Sequence, residues 1–187
     1  MSAPRQAQRP RRIVTVSGSL RDPSTTSVLL AAIAAEAAQR DGEDAGAQVE
    51  TVELAPLASD LAVALTGGGA SAAVEAALAA VGSADLLIVA TPIYRGSYTG
   101  LFKLFFDLVH QDALVGTPVL LAAGGGSDQH ALAIDHELRP LFAFFGARTA
   151  PVGVYARPGD YLRESSGARV DPAGALPGAI ARAVASL

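Results

Sequence analysis

Five times along this chain a short run of β-branched and apolar residues gives way to a longer stretch with a different apolar period. Ile13–Val16 is the first run, and it stops at Ser17-Gly18-Ser19. Residues 24–40 then read as a helix: Val28, Leu29, Ala32, Ile33 and Glu36 keep the three-and-four spacing, and Ser24 or Thr25 can cap it. Residues 49–54 alternate apolar and polar side chains as a half-buried strand does. Residues 70–81 form the second expected helix. Residues 85–91 are a nearly continuous apolar strand, the kind found at the middle of a parallel sheet. A helix over 99–111, a buried strand over 118–123, a helix over 128–145 with Pro140 inside it, a strand over 149–155 and a short helix over 179–187 complete the pattern. Residues 55–69, which end in a glycine triplet, read as irregular. Residues 157–177, rich in Gly, Pro and Ser, read as a loop.

Such alternation requires parallel strands joined by crossover helices. The 187 residues suffice for one α/β domain with a sizeable core. The expected architecture is a three-layer, doubly wound, five-stranded parallel sheet in the order 2-1-3-4-5. Residues 12–187 make the single domain, and residues 1–11 a disordered basic tail with Arg5, Arg9 and Arg11. In this architecture ligands bind beyond the carboxyl ends of the strands, where the strand order reverses. That point lies between the first and third strands, so the loops at 17–27, 91–100 and 124–130 should converge there.

Composition removes several function classes. A net charge of −4 argues against nucleic acid as a partner. There is no cysteine, which excludes disulfides, thiolate metal sites and a cysteine nucleophile. No apolar run approaches the ~18 residues that span a bilayer, and the arginine-rich start lacks the apolar stretch of a signal peptide. A cytoplasmic protein is expected. His130 and His136 are six residues apart, about 240° round a helix, and cannot share a metal. A serine-hydrolase elbow, Gly-x-Ser-x-Gly, is absent.

The first loop, "SGSLRDPSTTS", sets hydroxyls, one glycine and Arg21 before a helix N-terminus. Free N–H groups and the positive end of the helix dipole favour an anion there. Ser19, Ser24, Thr26 and Ser27 can donate to phosphate oxygens, and Arg21 adds a fixed charge. A Walker loop would need Gly-Lys-Ser/Thr, and a dinucleotide fingerprint three glycines; here Gly18 stands alone. The pattern therefore fits a single terminal phosphate, or else a plain helix cap with a polar turn.

The second loop, "ATPIYRGSYTGLFK", leaves the sheet extended at Pro92. It can run along the edge of a flat heteroaromatic ring, with Tyr94 at the rim and Arg95 facing a second anion such as a nicotinamide nucleotide phosphate. Alternatively Tyr94 and Tyr98 pack and Arg95 is solvated. In the third loop, Gly124-Gly125-Gly126 either admits a ligand close to backbone or simply makes a flexible turn.

Together with "ADLLIVATPIYRGSYTGLFKLFFDL" and "AAGGGSDQHALAIDHELRPLFAFFGA", the first loop resembles the NADPH-dependent FMN reductases. It is most similar to the branch that supplies reduced flavin to two-component monooxygenases of the alkanesulfonate type. The resemblance runs over residues 12–155. It implies a flavodoxin-like fold, FMN with NADPH or NADH, and hydride transfer to the flavin with no side chain acting as acid or base. It places the phosphate on Ser19, Arg21 and Ser24, with Thr25, Thr26 and Ser27 alongside; Thr26 stands where many relatives have Asn. It lays the isoalloxazine against Pro92, Ile93, Tyr94 and Arg95, and against Gly125, Gly126 and Ser127. It also implies a homodimer or homotetramer, a transient monooxygenase partner, and His136 near a subunit interface. "LFKLFFDLV" and "LRPLFAFFGA" hold all six phenylalanines, which either complete the core or spill over into such an interface. Three other classes share this pattern: a flavin-holding quinone or azo reductase; a flavodoxin-like electron carrier, whose usual strong acidity a net charge of −4 does not match; and a non-redox phosphate-binding protein.

Overall fold

The computed structural model describes residues 9–21, 23–40, 46–165 and 167–187. Its frame is a parallel sheet of β1 (Arg12–Ser17), β2 (Gln48–Glu53), β3 (Leu86–Pro92) and β4 (Pro118–Gly124), with two short segments sharing the last position. Those segments are β5 (Arg148–Thr149), paired with the start of β4, and β6 (Val154–Ala156), paired with its end. The order is β2-β1-β3-β4-β5, the doubly wound order expected.

Period-two alternation decides which side chains face which layer. Ile13, Leu86, Ile88, Ala90, Leu120 and Ala122 face α1 (Thr25–Arg40) on one side, where α6 (Leu176–Ala185) joins it. Val14, Val16, Leu87, Val89, Val119 and Leu121 face the other side. That side is covered by α2 (Ala58–Leu65), α3 (Ala72–Gly82), α4 (Gly100–Phe106) and α5 (Arg139–Phe144). Phe102, Phe106 and Phe142 interlock there, with ring centroids 4.7 Å apart for the first two and 4.9 Å for the last two. Five of the six phenylalanines are core; Phe144 is 71% exposed.

Several sequence expectations are corrected. The strand expected over 149–155 is cut in two around Pro151, which has no N–H to give to a ladder. Arg139 closes the cut, donating to Thr149 Oγ1 and the Ala150 carbonyl at 2.9 Å each. The helix expected over 128–145 is three pieces: a 3-10 turn at Asp128–Leu132, a π-helical turn at Ile134–Leu138, and α5. Pro140 is the reason. It has no N–H for the ladder and its ring crowds the preceding turn; the wider π-helical turn that runs directly into α5 gives that ring room. Residues 55–69, expected to be irregular, contain α2, and the loop expected over 157–177 contains an antiparallel hairpin, β7 (Tyr161–Glu164) and β8 (Gly167–Val170). Of the expected basic tail, residues 1–8 lie outside the described residues; Arg9 is bound to Asp85, its two nitrogens 2.8 and 2.6 Å from the carboxylate.

Candidate functional site

The carboxyl ends of the central strands are tied together by a buried polar node. The Thr99 hydroxyl caps α4, accepting from Phe102 N at 3.2 Å, and donates to the Gly18 carbonyl at 2.8 Å. Thr99 N in turn donates to Thr91 Oγ1 at 3.2 Å, and Gly18 N to the Ala90 carbonyl at 2.8 Å. A Cβ on Gly18 would lie 2.8 Å from Phe102 Cδ2, so this glycine answers a close approach rather than a ligand. Further along the same edge, Ile93 N donates to the Gly124 carbonyl at 2.8 Å and Gly125 N to the Ala156 carbonyl at 3.1 Å. The loops after β1, β3, β4 and β6 are thereby held in register.

Between them is a half-open cleft of about 240 Å³. One end is Thr25 and Thr26, in the first turn of the 16-residue α1. One wall is Pro92, Ile93 and Tyr94; another is Gly124, Gly125 and Gly126. A further wall is the end of β6 and the residues that follow it, Ala156–Pro158, together with Tyr161, Arg163 and Ala168 of the hairpin, whose β8 packs against α1. Among the described residues the only charged side chains lining it are Arg157 and Arg163; no acid does. A hollow of equal volume, at Arg11, Arg40 and Val184, lies by the opposite end of β1, away from these loops.

The expected site residues divide. Thr25, Thr26, Pro92, Ile93, Tyr94, Gly125 and Gly126 meet at the cleft. Ser19, Arg21, Ser24, Ser27, Arg95 and Ser127 do not line it. The Ser19 hydroxyl is buried, accepting from Arg21 N at 3.1 Å and donating to the Arg21 carbonyl at 3.0 Å. Ser24 Oγ caps α1, accepting from Ser27 N at 3.1 Å and lying 2.9 Å from Ser27 Oγ. The hydroxyl cluster of the first loop is therefore largely occupied with its own turn and cap. Arg21 is exposed. Arg95 tips a tight turn between Tyr94 and Ser97 with φ +56°, beside Gly96 at +86°, which carries its side chain into solvent. Ser127 is the cap of the next 3-10 turn, accepting from Gln129 N at 3.2 Å.

Gly125 has a packing role as well. A Cβ there would lie 2.3 Å from Tyr155 Oη and 2.9 Å from His130 Nδ1. Tyr155 donates to the Ser127 carbonyl at 2.6 Å, and burial pushes its pKa up, keeping it a donor. His136 is exposed on the π-helical turn, whose Glu137 accepts from Ser97 Oγ at 2.9 Å. Sequence reasoning missed Thr91, Thr99, Arg157, Tyr161 and Arg163. The first two had a signal, a threonine at a strand exit and another at a helix start; the others sit in a segment with no apolar period.

Comparison with known proteins decides the family. Residues 11–161 match the family model described as NADPH-dependent FMN reductase. The chain belongs to that family. The reductase is 49% identical over 152 residues, 81% of its length and 80% of the relative's, to the FMN reductase (NADPH) of Pseudomonas aeruginosa. It is 49% identical over 153 residues, 82% of its length and 80% of the relative's, to the NADH-dependent FMN reductase SfnF of Pseudomonas fluorescens. The structure is similar to that of an oxidoreductase from Corynebacterium diphtheriae, at a TM-score of 0.84 and 36% identity, covering 96% of this chain and 95% of that one. The fold is flavodoxin-like, and the chain is an oxidoreductase of FMN and NAD(P)H. The family match takes in every wall of the cleft except Arg163 and Ala168 of the hairpin.

Proposed function

We propose that the cleft is where the reductase seats FMN for reduction by NADPH or NADH. The observation that carries this reading is the lining itself: a helix N-terminus, glycine and apolar walls, two arginines and, among the described residues, no carboxylate. That set suits a flat ring with an anionic tail. Thr25 and Thr26 would meet the phosphate from α1, with Ser19, Arg21, Ser24 and Ser27 shaping the turn that presents those N–H groups. Ile93 and Tyr94 would lie along the isoalloxazine, with Pro92 fixing the exit from β3. Gly126, around which a Cβ would meet nothing within 4 Å, leaves room for the ring, with Gly125 and Ser127 setting the loop. Arg95, at the mouth, would meet a phosphate of the second nucleotide.

FMN, when bound, accepts hydride from the nicotinamide. The protein's part is to hold two rings face to face at roughly 3–3.5 Å. A half-open cleft serves this: one ring fills it and leaves a face uncovered for the other. Hydride transfer asks for no side chain as acid or base, so in this reading positioning carries the rate. Delivery of reduced FMN to a flavin-dependent monooxygenase fits a site that does not enclose its flavin. A homo-oligomer, dimer or tetramer, fits the exposed Phe144, and the cytoplasm is where the reductant is kept. No helix among the described residues is long and apolar enough to cross a membrane.

The test is absorbance at 340 nm with NADPH or NADH, with and without added FMN. Oxidation that requires added FMN is expected. Turnover that requires a quinone or azo compound instead, or no oxidation under any condition, overturns the reading.

A further inference from the structure

The hairpin β7–β8 sorts its charges by face. The register sets Tyr161 opposite Val170, Leu162 opposite Arg169, Arg163 opposite Ala168, and Glu164 opposite Gly167. Alternation then puts Tyr161, Arg163, Ala168 and Val170 on one face and Leu162, Glu164 and Arg169 on the other. On the outer face Arg169 and Glu164 form an ion pair. On the inner face Tyr161, Arg163 and Ala168 line the cleft, and Arg163 makes no ion pair among the described residues. The small side chain opposite it leaves the guanidinium room.

The other arginine of the cleft is already engaged. Arg157 pairs with Asp128, its backbone N–H is held by Asp160 at 2.7 Å, and its guanidinium lies 5.9 Å from the Tyr155 ring centroid. Arg21 of the first loop does not line the cleft at all. A phosphate seated against Thr25 and Thr26 thus has hydroxyls and helix N–H groups beside it, and of the two arginines that line the cleft among the described residues Arg163, on the hairpin, is the one without an ion pair.

We propose that Arg163 is a phosphate-binding residue of the reductase, meeting a phosphate monoester from the wall that lies past the family-matched segment. The proposal rests on the cleft being the flavin site. Two monoesters enter this reaction, the 5′-phosphate of FMN and the 2′-phosphate of NADPH. Arg163 is exposed, so its substitution is expected to leave the fold intact, which a far-ultraviolet spectrum and melting curve verify.

The experiment compares wild type, Arg163→Gln and Arg163→Lys. Flavin fluorescence titrations give Kd for FMN and for riboflavin; steady-state assays give KM for NADPH and for NADH. One charge-assisted contact at a half-open site corresponds to roughly a fivefold to tenfold loss in the glutamine variant, with partial rescue by lysine. A loss for FMN with riboflavin unchanged supports the proposal and assigns the flavin phosphate. A loss for NADPH with NADH unchanged supports it and assigns the nucleotide. Equal effects on both members of each pair, or no effect on either, overturn it. Wild-type protein that binds neither flavin would refute the flavin site itself, a separate outcome.

Discussion

Thr99→Val tests whether the buried node under the cleft is what joins the loops after β1 and β3. Valine keeps the shape and removes the hydroxyl. Thr99 is 2% exposed, so water does not replace what is lost. Two bonds go: the cap on Phe102 N at 3.2 Å and the donation to the Gly18 carbonyl at 2.8 Å. A helix cap is worth about 1 kcal/mol. A buried carbonyl left without its donor costs about 1–3 kcal/mol. Their sum is about 2–4 kcal/mol, which in a chain of this size lowers Tm by roughly 5–15 °C. Thr99→Ser, which retains the hydroxyl and loses one methyl, is expected to cost no more than about 1 kcal/mol. Urea titrations of the three proteins measure the differences directly. Thr99→Val within about 0.5 kcal/mol of wild type, the ordinary scatter of neutral surface changes, or a serine variant as damaged as the valine one, would refute the role of the hydroxyl.

Gly125→Ala drives a Cβ to 2.3 Å from Tyr155 Oη, so Tyr155 must give up its bond to Ser127; a loss of about 1–3 kcal/mol is expected, and Gly125→Ala with Tyr155→Phe should cost less than the two single changes added together, as a double-mutant cycle measures. At Asp85 the Arg9 guanidinium, seconded by the Arg12 backbone N–H, holds the carboxyl below its ordinary value. Its contribution is therefore complete above the unfolded pKa of about 3.9 and lost as pH falls through the folded value. Melting curves across that range should show wild type losing up to about 1 kcal/mol that Asp85→Asn never had, the scale of a mostly solvated pair.

Most of the frame was legible because it rests on period-two burial. Ile13 and Val14, or Leu86 and Leu87, go to opposite layers whatever the loops do. What escaped reading has a local cause in each case. Of the eight residues of α2 only Leu61 is buried, and one buried position makes no period. The strands of the hairpin are four residues each, too short to show alternation against a background of glycine and serine. The break in the fourth helix was visible as Pro140, but the wide turn that accommodates it depends on packing around Ile134 and Leu138.

The site shows the same limit in chemical form. A run of serines and threonines before a helix announces that polar groups gather there, not which of them remain free. In the folded chain Ser19, Ser24 and Ser27 spend their hydroxyls on the turn and the cap, and the residues facing the cleft are Thr25 and Thr26. Whether a nearby charge can serve a ligand depends likewise on whether a carboxylate already holds it. Arg157 is held by Asp128, while among the described residues Arg163 has no ion pair, although both line the cleft. That difference is set by the register of the hairpin, which turns Glu164 outward and Arg163 in. A slip of one residue in that pairing would reverse both and leave the cleft lined by an acid, repelling any phosphate it now attracts.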